Sequence, residues 1–130
     1  MHFLLLWAPV LIQMALIFGA SSVSDPGPLP PHITDKIAHV AAYAVLSLLF
    51  IRALAGGRAD GITWQRALLA IVLTTLYGAS DEFHQRFTPR RTPDLLDLRA
   101  DLVGACGGVA AAYAFRFVRR VRPRVFAAPD

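Results

Sequence analysis

Residues 67–85 read ALLAIVLTTLYGASDEFHQ. The apolar part, Ala67 to Ser80, has 14 residues and then meets two carboxylates, Asp81 and Glu82. A helix rises ~1.5 Å per residue, so this part covers only ~21 Å of a ~30 Å hydrocarbon layer. Either the helix stops short, or it carries Asp81 and Glu82 onward with it.

The composition makes a membrane the right setting. Hydrophobic residues form 55% of the 130, charged residues 17%, and the mean hydropathy is +0.49. That length implies one domain, residues 1–130. Four apolar stretches run along the chain: Phe3–Ala20, Ile37–Ile51, Ala67–Ser80 and Leu102–Phe115. Several reach spanning length only with their polar flanks included. A soluble helix bundle would place polar residues every few positions on its outer face. AYAVLSLLFI and ALLAIVLTTL have no such face. The expected fold is therefore all-α: an antiparallel bundle of four transmembrane helices. The first stretch is long and has no preceding Lys or Arg, so it reads as a span rather than a cleaved signal segment. SSVSDPGPLPP, residues 21–31, is a Pro-rich connector. The single Cys106 excludes an intramolecular disulfide.

Lys and Arg placement orients the bundle. One side takes eight charges: Arg52, Arg58, Arg66, Arg116, Arg119, Arg120, Arg122 and Arg124. The other takes five: Lys36, Arg86, Arg90, Arg91 and Arg99. The eight-charge side is expected in the cytoplasm, with both termini. RRVRPR then reads as an anchor near anionic lipid, and nucleic acid is not an expected partner. Helix parity puts the start of the second helix, the end of the third and the start of the fourth together on the outer side. Asp25, Asp35, Asp81, Glu82, Asp94, Asp97 and Asp101 collect there, against Asp60 and Asp130 on the inner side. Together the three polar flanks would line one outward pocket.

Helical spacing sharpens this expectation. Asp35, Lys36, His39 and Tyr43 share one face of the second helix. Thr74, Tyr77, Gly78, Asp81 and Gln85 share a face of the third, and Asp97, Asp101, Gly104 and Gly108 a face of the fourth. Charges within a span are costly, ~2.5–3.5 kcal/mol at the helix centre, so they should face the bundle interior and pair. Lys36, Arg86, Arg91 and Arg99 are the available cations.

DKIAHVAAY (35–43), DEFHQRFTPRR (81–91) and DLRADLVGACGG (97–108) together resemble the VanZ-like family of small bacterial membrane proteins. The matching residues are Asp35, Lys36, His39 and Tyr43; Asp81, Glu82, Gln85, Pro89 and Arg91; and Asp97, Asp101 and Gly104. The resemblance covers about residues 33–110 and departs where Arg90 replaces the family's usual Gly. It implies a role in the bacterial envelope, linked by the family's name to teicoplanin (glycopeptide) resistance.

Bland roles stand beside functional ones. Thr34 or Asp35 caps the second helix. Thr92–Pro93 is a helix start. His84 is interfacial, Tyr77 and Trp64 are interfacial or packing aromatics, and Gly104 and Gly108 form a close helix contact. Two functional expectations follow. In the first, Asp35, Lys36, His39, Tyr43, Asp81, Glu82, Gln85, Arg91, Asp97 and Asp101 bind an anionic lipid headgroup or lipid-linked cell-wall precursor, with Arg91 clamping a phosphate. In the second, Asp81, Glu82, His39 and Asp101 form an acid–base or metal-binding set in a membrane-embedded enzyme. A proton-coupled carrier using the same acids ranks last for so small a chain. No spacing is a recognised metal signature, and no cofactor is indicated.

Overall fold

A computed structural model of the chain describes residues 2–24, 27, 31–92 and 94–125, with side chains through residue 119. Asp25, Pro93 and Asp130, and the side chains of Arg120, Arg122 and Arg124, lie outside that description. All regular structure among the described residues is helical: α1 (His2–Ser21), α2 (Asp35–Leu54), α3 (Trp64–Gln85) and α4 (Leu95–Val125), with a 3-10 turn at Ala59–Gly61 before α3.

The α3 helix does not stop at Ser80. It runs 22 residues, to Gln85, or ~33 Å. Thr63 starts it by accepting the Arg66 N–H at 3.4 Å, just as Thr34 starts α2 by accepting that of Ile37 at 3.3 Å. At α4 the capping oxygen comes from Asp94, which accepts the Leu96 N–H at 2.8 Å, rather than from Thr92. The end of α2 is turned by Gly56 and Gly57, both at positive φ (66° and 75°), with the Gly57 N–H closing on Arg52 O at 2.9 Å.

Cross-helix bonds show the alternating direction. At one end, Ser21 of α1 meets Asp81 of α3, and Lys36 of α2 meets Asp94 before α4. At the other, Arg52 of α2 donates to Leu5 O of α1, and Arg116 of α4 donates to Ile62 O ahead of α3. The result is an up-down-up-down four-helix bundle, with an acidic end and a basic end.

The closest pairing is α2 on α4. Gly104 and Gly108 bring the α4 backbone against the Val40 and Ala44 carbonyls. Ser47 Oγ reaches across to Ala105 O at 2.7 Å. Below this seam the core is Val10, Leu46, Phe50, Ile51, Ala70 and Val109. The α1 helix buries only Val10, Ile17 and Ser21. It is pinned by Gln13 Nε2 to Ala42 O (3.2 Å) and by Tyr77 OH to Met14 O (2.6 Å).

Large apolar side chains cover the outside, including Phe3, Leu11 and Leu16 of α1, Leu68 and Leu76 of α3, and Val103 and Phe117 of α4. In water such a surface would be an aggregation liability; in hydrocarbon it is solvated. Among the described residues, three helices are long and apolar enough to cross a membrane: His2–Ser21, Asp35–Leu54 and Leu95–Arg119. The α3 helix has the length, but Gln65, Arg66 and the run from Asp81 to Gln85 make it more polar.

Candidate functional site

The acidic end contains a cleft of about 610 Å³ between the end of α1, the start of α2 and the end of α3. Ile17, Ala20, Ala38 and Ala42 form its apolar wall, and Asp35, His39, Tyr43, Asp81, Gln85 and Arg91 its polar one. Periodicity explains the α3 contribution. Thr74, Gly78, Asp81 and Gln85 follow one another at helical spacing, and all four are buried. On α4, Asp97, Asp101, Gly104 and Gly108 are likewise buried.

Asp81 is 4% exposed. Its Oδ1 accepts from Ser21 Oγ at 2.6 Å and its Oδ2 from Gln85 Nε2 at 3.3 Å. Asp101 is fully buried, and its Oδ1 lies 2.8 Å from His39 Nδ1. With Asp101 ionised its oxygen can only accept, and Nδ1 then carries the proton of that bond. The absence of a side chain at Gly78 makes room for Asp101: a Cβ there would sit 2.6 Å from its Oδ2. The His39 ring stacks on Tyr43 with centroids 6.0 Å apart. The Tyr43 hydroxyl is buried and makes no hydrogen bond among the described residues, and the same holds for Asp101 Oδ2 and Glu82 Oε1.

A second set of bonds closes the end. Lys36 Nζ pairs with Asp94 Oδ2 at 2.7 Å and also with Asp97 Oδ1. Glu82 Oε2 accepts the Asp94 N–H at 3.0 Å. Asp94, ahead of the span, is held below the usual carboxylate range by the Lys36 ammonium.

The ten residues read from the sequence as binding candidates thus gather at one end, in distinct roles. Asp35, His39, Tyr43, Asp81, Gln85 and Arg91 line the cleft. Asp101 stands behind His39, while Lys36, Asp97 and Glu82 belong to the ion-pair layer at the start of α4. Asp81, Glu82, His39 and Asp101 do not form one hydrogen-bonded set. Asp81 bonds to Ser21 and Gln85, Glu82 to the Asp94 backbone, and only His39 and Asp101 bond each other. The Arg91 guanidinium gives Nε–H to Val23 O (3.2 Å) and an Nη2 proton to Ala20 O (3.3 Å), so it caps α1 rather than standing free. Arg86 lies over the Phe83 ring at 5.7 Å. Arg86 and Arg99 make no ion pair among the described residues.

Arg90 adopts φ 63°, the left-handed conformation that glycine takes freely. The residue before Arg91 thus has a glycine-like backbone while carrying a side chain. His84 bonds Ser22 Oγ at 3.0 Å and packs on Phe18, tying the same two helix ends together.

Helical spacing pointed to none of the α1 contributions, since Ser21 meets Asp81 across 60 positions. Nor did it bring out a further convergence. One ligand atom each from Asp35, His39 and Asp97 lies within 4.8 Å of the others, close enough to hold a metal ion. No curated protein and no solved structure matches the chain. A protein family described as VanZ/LLP1 matches residues 5–116, from α1 through most of α4. With the polar faces of α2, α3 and α4 all inside that match, the chain belongs to the VanZ/LLP1 family.

Proposed function

We propose that the cleft receives the headgroup of a membrane amphiphile, an anionic lipid or a lipid-linked cell-wall precursor. One observation carries this reading. A cleft of about 610 Å³ sets an apolar wall against a polar one that includes a buried hydroxyl, on Tyr43, with no partner among the described residues. Small-molecule pockets fall in the range ~300–1,000 Å³ and combine apolar lining with a few placed polar groups. Asp81, Gln85 and Tyr43 suit the hydroxyl groups of a glycerol or sugar. Arg91 brings positive charge beside them while its own position is held by α1.

The protein then resides in the bacterial cytoplasmic membrane. Its basic end and both termini are cytoplasmic, and the cleft faces outward, where a wall precursor or a glycopeptide would be met. Occupying the precursor there would alter teicoplanin susceptibility. A reporter fused to the C-terminus and active only outside the cytoplasm stays silent in this arrangement; a signal from it overturns the orientation.

The binding test is native mass spectrometry of the purified protein with defined lipids. Wild type retains an anionic lipid, and Ala42→Trp, which fills the cleft, loses it. Equal retention by both proteins removes the reading. The His39–Asp101 pair at 2.8 Å favours one second reading, a general base with its orienting carboxylate. In that case Asp101→Asn abolishes function in a complemented strain while lipid binding persists.

A further inference from the structure

We propose that Asp35, His39 and Asp97 form a binding site for a divalent cation, with Asp101 as the residue that positions His39. Two helices supply it, each with a pair of residues one turn apart: Asp35 and His39 on α2, Asp97 and Asp101 on α4. A carboxylate oxygen from Asp35 and from Asp97 and a ring nitrogen of His39 lie within 4.8 Å of one another. Metal-bound histidines characteristically give their other nitrogen to a carboxylate, which sets the tautomer and the ring plane. Asp101 does this from outside the cluster, fully buried and 2.8 Å from Nδ1, leaving Nε2 free to ligate.

Charge gives an independent reason. Asp35, Glu82, Asp94, Asp97 and Asp101 crowd this end. Among the described residues, Lys36 is the one ammonium or guanidinium ion-paired with any of them. Asp97 and Asp101 are nearly or fully buried, and carboxylates out of water need a cation to remain charged. Lys36 answers part of that need from the Asp97 side and competes with a metal there. One imidazole and two carboxylates suit Zn²⁺ or Mn²⁺, with the remaining positions open.

The metal site stands without the amphiphile reading and goes beyond it. Asp35 and His39 also line the cleft, so a cation held by them would give its polar wall a direct contact for a phosphate oxygen.

The test is titration calorimetry with Zn²⁺ and with Mn²⁺ alone, on full-length protein stripped with chelator and held in lipid nanodiscs. One ion per chain is expected. His39→Gln and Asp97→Asn each lower the affinity at least tenfold. Asp101→Asn, which touches no ion, lowers it by about ten- to a hundredfold. Lys36→Met raises it by removing the competing ammonium, a gain that misfolding cannot produce. Asp60→Asn, at the other end of the bundle, leaves it unchanged. In pulsed EPR the bound Mn²⁺ shows nitrogen coupling, and His39→Gln removes it. The proposal is overturned if neither ion binds the wild type, if His39→Gln and Asp97→Asn bind as it does, or if Lys36→Met binds no more tightly.

Discussion

The two ends of the bundle use charge in opposite ways. At the acidic end, Asp81, Asp97 and Asp101 are at most 5% exposed, and each is bonded to a side chain on another helix. At the basic end three arginines donate to backbone carbonyls, the exposed Arg52 to Leu5 and Arg66 to Gly61, and the half-buried Arg116 to Ile62. The ion pair there, Arg58 with Asp60, is solvent-exposed. An exposed arginine can lie along lipid headgroups without any defined partner, so this end needs only a count of charges. A buried carboxylate must find specific donors, so the acidic end needs a particular three-dimensional arrangement. Composition explains the first end, and geometry makes the second a candidate site.

The largest expected effect comes from breaking the seam that holds the ends in register. Gly104→Leu drives a side chain into the Val40 carbonyl and the Tyr43 side chain. A loss of ~3 kcal/mol or more is expected, read as failure to accumulate folded protein by size-exclusion chromatography in detergent. Next, Asp81→Ala and Arg58→Ala compare the ends directly. Asp81→Ala takes away the acceptor of the buried Gln85 amide and costs ~1–3 kcal/mol, while Arg58→Ala leaves the thermal midpoint unchanged. Equal effects would erase the contrast.

Acid should also act on one end first. Asp94 titrates below the usual carboxylate range because Lys36 favours its charged form. A depressed folded-state pKa gives stability that is full above the unfolded value, ~3.9, and is lost as pH falls through the folded one. Hydrogen exchange at the start of α4 should therefore rise below about pH 4, and Lys36→Met should weaken that dependence, leaving the part due to the Leu96 N–H bond. The smallest effect is at Arg90, which holds φ 63° with a side chain. Arg90→Gly relieves that strain and adds up to ~1 kcal/mol, less whatever glycine's greater chain entropy removes.

Much of the fold is legible in the chain because helical order is local. Four apolar runs give four helices, and Thr34 marks a start through a bond only three residues long. The i, i+4 spacing puts Asp35 with His39, Asp81 with Gln85 and Asp97 with Asp101 before any contact is known. The end of α3 is not legible this way, because an apolar run does not say whether its polar flank stays helical. Thr92 does not supply the α4 cap, because Asp94, two residues on, has the oxygen that reaches the Leu96 N–H.

Spacing within a helix says nothing about which faces meet between helices. That depends on crossing and rotation, settled here by Gly104 and Gly108 against α2 and by Gln13 and Tyr77 holding α1. Tertiary structure alone therefore brings Ser21 to Asp81, turns Arg91 to the end of α1, divides the acids into separate layers and sets Asp35 and His39 beside Asp97. By itself the sequence determines which residues share each helical face and which end of the bundle collects the acids. Periodicity is a property of one chain segment, and pairing is a property of several segments packed together.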